Sequence, residues 1–395
     1  MKNIKILISG ASIAGLTSAY WLNKNGFEVT IVEKAKEIRG GGYPIDVRGS
    51  AISISKMMGI YESLKTQSLD NINIKFLDTD NNLIGDIPDS TMKEYDDIEI
   101  PRGNLTKALY KSIQSENIKI VYNDSIKSIN SQKKVVNIEF ESGNRETYDL
   151  IVGADGIHSN TRKLTFGCEE NYTKYLGYSF TVFSMANNFN MYKEGWVYSK
   201  AGKTSVIYAT KDKDFVHAFL IFYEPNESLV NHRDEKKQRK MVKERFNGIE
   251  GITPNMLNNL DEEKSIFFDT TTQIIMDTWS KGNIVLVGDA AHAPSFLTGQ
   301  GSSLAIIGSY ILANELKVND TLSDAFESYE RAMKPFVELN QGVVEKDGFS
   351  IVNPKNDEDI KKRDTILEQI SNKTEEEIGS NDVVDITRVI NYPEL

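Results

Sequence analysis

Apolar positions come along this chain in short blocks. Ile4 to Ile8 is one such run, closed by Ser9-Gly10, and it predicts a strand buried in a parallel sheet. Leu16 to Asn25 is rich in helix formers, with Leu16, Ala19, Tyr20 and Leu22 on one face, and Gly26 stands where that helix would stop. Phe27 to Val32, Tyr148 to Val152 and Asn283 to Val287 predict further strands, and an apolar helix is expected from about Ser302 to Leu316. Strand-like runs recur at Tyr178–Met185, Thr204–Ala209 and Phe215–Tyr223. In the last run Phe215, His217, Phe219, Ile221 and Tyr223 share one face, because strand side chains alternate.

The charge-dense stretch from Asp234 to Arg245 predicts the solvated face of a helix, with His232 exposed just before it. Beyond Thr321 the pattern turns helical. Phe326, Tyr329, Met333, Phe336 and Val337 recur at helical spacing, with Pro335 expected to kink the helix. Ile360, Leu367 and Ile370 form a weaker stripe, with Glu375-Glu376-Glu377 near its end.

A length of 395 residues suggests two or three domains, at ~150 residues each. With 39% hydrophobic and 26% charged residues the composition is that of an ordinary globular protein. The net charge of −11 disfavours nucleic-acid binding, which relies on Lys and Arg neutralising phosphates. The single Cys168 excludes an intrachain disulfide and a cysteine metal cluster, and fits a cytoplasmic protein. No apolar run reaches the ~18 residues of a membrane span. Met1 to Ile8 has the look of a signal-peptide start, but Gly10, Ser12 and Gly15 break the apolar stretch at a spacing with another meaning.

That spacing is strand, Gly10-Ala11-Ser12-Ile13-Ala14-Gly15, helix, strand, Glu33: a dinucleotide-binding unit. Gly10 permits the tight turn, and Gly15 lets the helix pack close to the strand. The helix N-terminus presents free N–H groups and partial positive charge to a pyrophosphate. Glu33 lies where a carboxylate accepts hydrogen bonds from ribose hydroxyls. Ser12 departs from the pattern by replacing the second glycine. Two further segments follow strands. They are Asp155-Gly156-Ile157-His158-Ser159-Asn160-Thr161-Arg162, and Gly288-Asp289 with Pro294 and the Gly299-Gln300-Gly301 turn. An Asp at the carboxyl end of a parallel strand faces the ligand crevice of an open α/β sheet.

These three segments, in this order, resemble the fingerprints of the single-component FAD-dependent monooxygenases of the para-hydroxybenzoate hydroxylase type. The stretches Arg39-Gly40-Gly41-Gly42-Tyr43-Pro44-Ile45-Asp46 and Ile100-Pro101-Arg102-Gly103-Asn104-Leu105, the 283–316 segment and the C-terminal extension resemble the tetracycline-inactivating members in particular. The resemblance implies an α/β fold. A Rossmann-like FAD domain would be built from residues 1–72, 98–175 and 267–324, an inserted β-sheet substrate domain from 73–97 and 176–266, and a C-terminal helical segment from 325–395.

It also implies roles. Gly10, Ser12, Ala14 and Gly15 would form the pyrophosphate turn, Glu33 would hold the adenosine ribose, and Lys34 would lie near the adenine. Arg102 would contact FAD, and Asp289 its ribityl and pyrophosphate region. Asp46, Pro294, Gly299 and Gly301 would approach the flavin. Arg39 is matched to the nicotinamide cofactor, and the segment opening at Asp155 to both FAD and the NADPH phosphates. His217 and Phe219 would touch substrate, although a core face with a satisfied histidine explains the same alternation.

The flavin would carry the oxygen chemistry, so no catalytic side chain and no metal are expected. Consistent with this, the chain has four histidines, no His-x-x-x-His pair and no Gly-x-Ser-x-Gly elbow. The expected activity is hydroxylation of a polycyclic phenolic or enolic compound by a monomer using FAD, NADPH or NADH, and O2, with a tetracycline as favoured substrate. A hydroxylase of another natural product, an oxygen-independent FAD reductase or dehydrogenase, and a flavin-binding protein without turnover stand as alternatives.

Overall fold

In the computed structural model the described residues are 4–38, 40, 43–69, 72–78, 80–87, 96–114, 116–132, 135–210, 214–226, 234–262, 266–346, 352–371, 388–393 and 395. The first part of the chain gives β1 (Lys5–Ser9), α1 (Ile13–Lys24), β2 (Glu28–Glu33), β3 (Pro44–Val47), α2 (Ser50–Met57), α3 (Tyr61–Gln67), β4 (Asn73–Leu77), β5 (Leu83–Ile87), β6 (Ile98–Pro101) and α4 (Arg102–Ile113). Next come β7 (Lys119–Tyr122), β8 (Ile126–Ser131), β9 (Val136–Phe140), β10 (Arg145–Tyr148), β11 (Leu150–Gly153), α5 (Asn160–Phe166), β12 (Thr173–Ala186), β13 (Glu194–Lys200), β14 (Lys203–Ala209) and β15 (Phe215–Tyr223). The remainder is α6 (Glu235–Phe246), α7 (Thr253–Glu262), β16 (Phe267–Ile274), β17 (Ser280–Lys281), β18 (Ile284–Leu286), α8 (Asp289–His292), α9 (Gly301–Val318), α10 (Leu322–Gly342) and α11 (Asp357–Ser371).

The nucleotide-binding half is a sheet in the order β17-β18-β11-β1-β2-β7. Its strands are parallel except β17, which pairs antiparallel with β18. The centre of this sheet therefore brings residues near 5, 150 and 285 side by side. α1 is buried on most of its surface, since Leu16, Ala19 and Leu22 join a core shared with α4, α9 and α10. The expected strand at 148–152 is two strands. At Asp149 the chain passes from the three-stranded sheet β10-β9-β8 into the parallel sheet, and its carboxylate accepts from the Lys5 N–H at 2.7 Å.

The second half is a seven-stranded sheet, β16-β12-β15-β14-β13-β4-β5. Within it the adjacent strands β12 and β16 begin at Thr173 and end at Ile274. The even positions of β15, Val216, Ala218, Leu220 and Phe222, pack with Val242 and Phe246 of α6 and Met256 and Leu260 of α7. The odd positions face the nucleotide-binding half through a smaller aromatic cluster. α10 continues through Pro335, where a kink is expected from sequence. α11 lies on the sheet near β5 and β13, with Leu367 buried against Phe76 and Val197. Residues 388–393 return to the first half, where Ile390 is buried and Tyr392 donates to Glu315 at 2.9 Å. Among the described residues no helix is long and apolar enough to cross a membrane.

Candidate active site

The site begins at the turn after β1. Gly10 has φ of +103°, and a Cβ there would lie 2.6 Å from the Ala154 carbonyl oxygen. A Cβ on Gly15 would overlap the Gly10 carbonyl, so α1 sits directly on the turn. Ala14 is small because Gly288 passes it closely, and its carbonyl accepts from Ser309 Oγ at 3.0 Å. Ser12 is the N-cap residue of α1 yet makes no side-chain cap; its Oγ accepts from Arg102 Nη2 at 2.7 Å instead. At the end of β2, Glu33 accepts from the Ala11 and Ala35 N–H groups, both at 2.8 Å. Each oxygen keeps a second lone pair for a hydroxyl. Lys34 is exposed beside it.

Arg102 opens α4, and its own N–H donates to the Tyr43 carbonyl at 3.2 Å. It acts electrostatically on Asp289, the first residue of α8. A Cβ on Gly301, at the start of α9, would lie 3.6 Å from Asp289 Oδ1. Asp289 is exposed to solvent although protein closely surrounds it. Desolvation pushes its carboxyl up to about 6, with Arg102 opposing and Asp269 adding. An uncapped helix N-terminus, a guanidinium, and two carboxylates reached by solvent form the donor and acceptor set that a dinucleotide's pyrophosphate and sugar hydroxyls need. The glycine turns leave room for its backbone approach. The residues present fit FAD.

Asp46, on β3, pairs with Arg48 at 2.8 Å and lies against the Gly299 turn, where a Cβ would stand 3.0 Å from its Oδ2. Pro294 is buried, and its carbonyl accepts from Gln273 at 3.2 Å. The following Ser295 is held at φ of +85°, and Phe296 turns into the aromatic cluster. There Phe296 stacks on Phe180 at 4.2 Å and meets Tyr43 at 5.6 Å and Phe219 at 6.1 Å. Burial pushes the Tyr43 hydroxyl up to about 12, Arg102 acting against it. Phe219 is thus packed in this cluster between the two halves. His217 is half-buried at a neighbouring cleft of about 610 Å3, lined also by Ser184, Phe215, Gln67, Pro101 and Asn104. Its Nδ1 is 3.4 Å from Ser184 Oγ, and its ring lies 5.2 Å from that of Tyr208.

Other sequence candidates are engaged inside the protein. Asp155 accepts from Ser159 Oγ and from the Thr161 N–H and Oγ1, each of the latter at 2.9 Å. Arg162 is fully buried, donating to the Ala290 carbonyl at 3.0 Å and to Ile157 and Glu169. His292 is packed on Trp279 at 4.6 Å, and burial lowers it to about 4. His158 is 2.7 Å from Glu169. Arg39, His232 and the segment 375–377 lie outside the described residues. Sequence reasoning missed Tyr43, Tyr208, Phe296 and Glu99. Of these only Glu99 left a local signal, as a charge alternating with Ile98 and Ile100.

The class follows from this arrangement and from the comparisons. Residues 3–340 match the family described as FAD binding domain, and the chain belongs to that family. A flavin-dependent monooxygenase from an unknown prokaryotic organism is 36% identical over 375 residues, 93% of this chain and 96% of that relative. The chain is an FAD-dependent monooxygenase. It is similar to the crystal structure of tetracycline destructase Tet(55), with a TM-score of 0.82 and 36% identity over 95% of this chain and 98% of the other. Tetracycline destructase Tet(51) is similar at a TM-score of 0.81 and 31% identity, over 96% and 98%.

Proposed function

We propose that this enzyme hydroxylates a polycyclic phenolic or enolic compound with NAD(P)H and O2, and that the compound is a tetracycline. The observation that carries this reading is the aromatic-walled interface between the halves, with Tyr43, Phe219 and Phe296 beside the Asp46–Gly299 turn and a histidine-lined cleft adjoining it. Aromatic faces suit the apolar body of a polycycle, and the half-buried His217 suits its enol and keto oxygens. The likeness to two tetracycline destructases supports the substrate class.

Glu33 takes the adenosine ribose, the α1 N-terminus and Arg102 take the pyrophosphate, and Asp289 takes ribityl hydroxyls. The α9 N-terminus, at Gly301, offers partial positive charge of ~0.5 without a titratable group. Bound FAD supplies the hydride acceptance and oxygen activation. The chain carries one glycine fingerprint, so NAD(P)H visits the surface rather than a domain of its own.

The test is a tetracycline panel incubated with the enzyme, NADPH and air, and read by mass spectrometry. A product heavier by about 16 mass units, formed as O2 is consumed, is expected. Expression should also protect a bacterium from tetracycline. A panel with no oxygenated product and no stimulated NADPH oxidation overturns the substrate assignment.

A further inference from the structure

The two-stranded ribbon β3–β6 sets Asp46 directly opposite Glu99. Val47, Ile98 and Ile100 are buried in the core of the nucleotide-binding half. Strand alternation therefore turns Asp46, Glu99 and Pro101 the other way, toward the seven-stranded sheet. Pro101 lines the same cleft as His217. Tyr208 faces the ribbon from β14, and its hydroxyl is pushed up by burial first and then by Glu99 and Asp46. Asp46 is satisfied by Arg48 at 2.8 Å. The Glu99 backbone carbonyl accepts from the Leu69 N–H at 2.7 Å, but its carboxylate has no hydrogen-bond or ion-pair partner among the described residues. A half-buried carboxylate without a partner, two residues from the cleft-lining Pro101, is costly unless it takes up a proton or a ligand.

We propose that Glu99 is the proton acceptor of the substrate site, taking the proton of a phenolic or enolic hydroxyl so that the substrate is held as its oxyanion. This rests on the function proposed above. In the step, the substrate O–H bond breaks, the proton moves to a Glu99 carboxylate oxygen, and the electron pair stays on the substrate oxygen. The proton is returned when the hydroxyl of the product re-forms. An oxyanion donates electrons into its ring more strongly than a neutral hydroxyl, which assists attack on an electrophilic oxygen.

The surroundings suit the role. Desolvation, then the neighbouring Asp46, push the Glu99 carboxyl up to about 7, against the pull of Arg48. A base poised near the working pH combines a populated basic form with useful proton affinity. The charged or titratable groups that face it are Asp46, Arg48 and Tyr208, with His217 on the neighbouring cleft that Pro101 lines.

The test compares the FAD-loaded wild type with Glu99→Gln and Glu99→Asp, using tetracycline as probe. Retained flavin absorbance shows that each variant is folded. Two readouts are taken: kcat and KM against pH, and the difference spectrum of bound tetracycline, which reports its ionisation. In the wild type kcat should rise with pH through about 7. Glu99→Gln should lose that rise, lower kcat by about 100-fold or more, leave KM within about threefold, and bind tetracycline less ionised. Glu99→Asp should keep the rise. The substrate's own titration is common to all three proteins and cancels in the comparison. A Glu99→Gln variant with the wild-type pH profile and bound spectrum overturns the proposal. A raised KM with unchanged kcat overturns it too, and assigns Glu99 to binding alone. A wild type that neither binds nor oxidises any tetracycline fails at the earlier step, and the substrate reading falls with it.

Discussion

Arg102 donates to Ser12 Oγ at 2.7 Å across 90 positions of sequence. The bond ties the first residues of α4 to the turn that opens α1, and the same guanidinium acts on Asp289 of α8. Three distant segments are thereby brought to one place. The bond also accounts for a serine where a glycine is usual, because its hydroxyl has a partner within the protein. Arg102→Ala should weaken FAD binding by ~10- to 100-fold, the worth of one hydrogen bond to a charged group at ~1.5–3 kcal/mol. Glu33→Ala should act similarly from the adenosine end. Flavin fluorescence titrations check both, and an unchanged Kd for either removes that residue from the cofactor site.

His217 is half-buried at a cleft, not sealed in a core. His217→Ala should leave bound FAD unchanged and raise KM by ~3- to 30-fold, for a lost bond of ~0.5–2 kcal/mol. A lower melting temperature with wild-type KM would instead make the residue structural.

His158 sits between two carboxylates, 2.7 Å from Glu169 and 3.8 Å from Asp269. Asp269 first and then Glu169 raise its pKa to about 9, against desolvation. The folded state therefore holds a proton that the unfolded state releases near pH ~6.5. The stabilisation is complete below that pH and is lost as pH rises through about 9. The melting-temperature difference between wild type and His158→Gln should be largest at pH 6 and shrink toward pH 9.5. A difference that grows with pH would refute the pairing.

Gly49 has φ of +53°, and a Cβ there would overlap the Arg388 carbonyl oxygen, which accepts from the Ser50 N–H at 3.0 Å. Gly49→Ala should cost about 1–3 kcal/mol in denaturant unfolding, by straining the turn and displacing the returning segment. Arg388, which pairs with Asp97 there, should become accessible to an arginine-directed reagent. Wild-type stability in Gly49→Ala would show that the segment is not held there.

The nucleotide turn was legible because its requirements are local. Gly10 needs positive φ, Gly15 needs close packing, and Glu33 ends the next strand. Asp289 was legible for the same reason, as the residue a strand delivers to the crevice. The aromatic interface was not. Tyr43 meets Phe296 only after the chain has crossed both sheets, and no periodicity within either segment encodes that contact. The break at Asp149 was hidden because both flanking strands are apolar and continuous in sequence. Glu99 carried the right signal, one charge between two buried isoleucines, but a carboxylate on a strand reads as solvent-facing until Asp46 and Tyr208 are seen around it.

Because only β11 separates β1 from β18, the cofactor site beside β1 is incomplete until residues near 289 and 301 have been made. At synthesis rates of ~5–20 residues per second, the turn at Gly10 waits roughly 15–60 s for Asp289 and Gly301. Until β11 has been made β1 can pair only with β2, and until Asp289 has been made Arg102 can reach Ser12 but has no Asp289 to face. The completed site therefore exists only once the chain has been made through Gly301, and the early glycine motif by itself is a docking point without its second half.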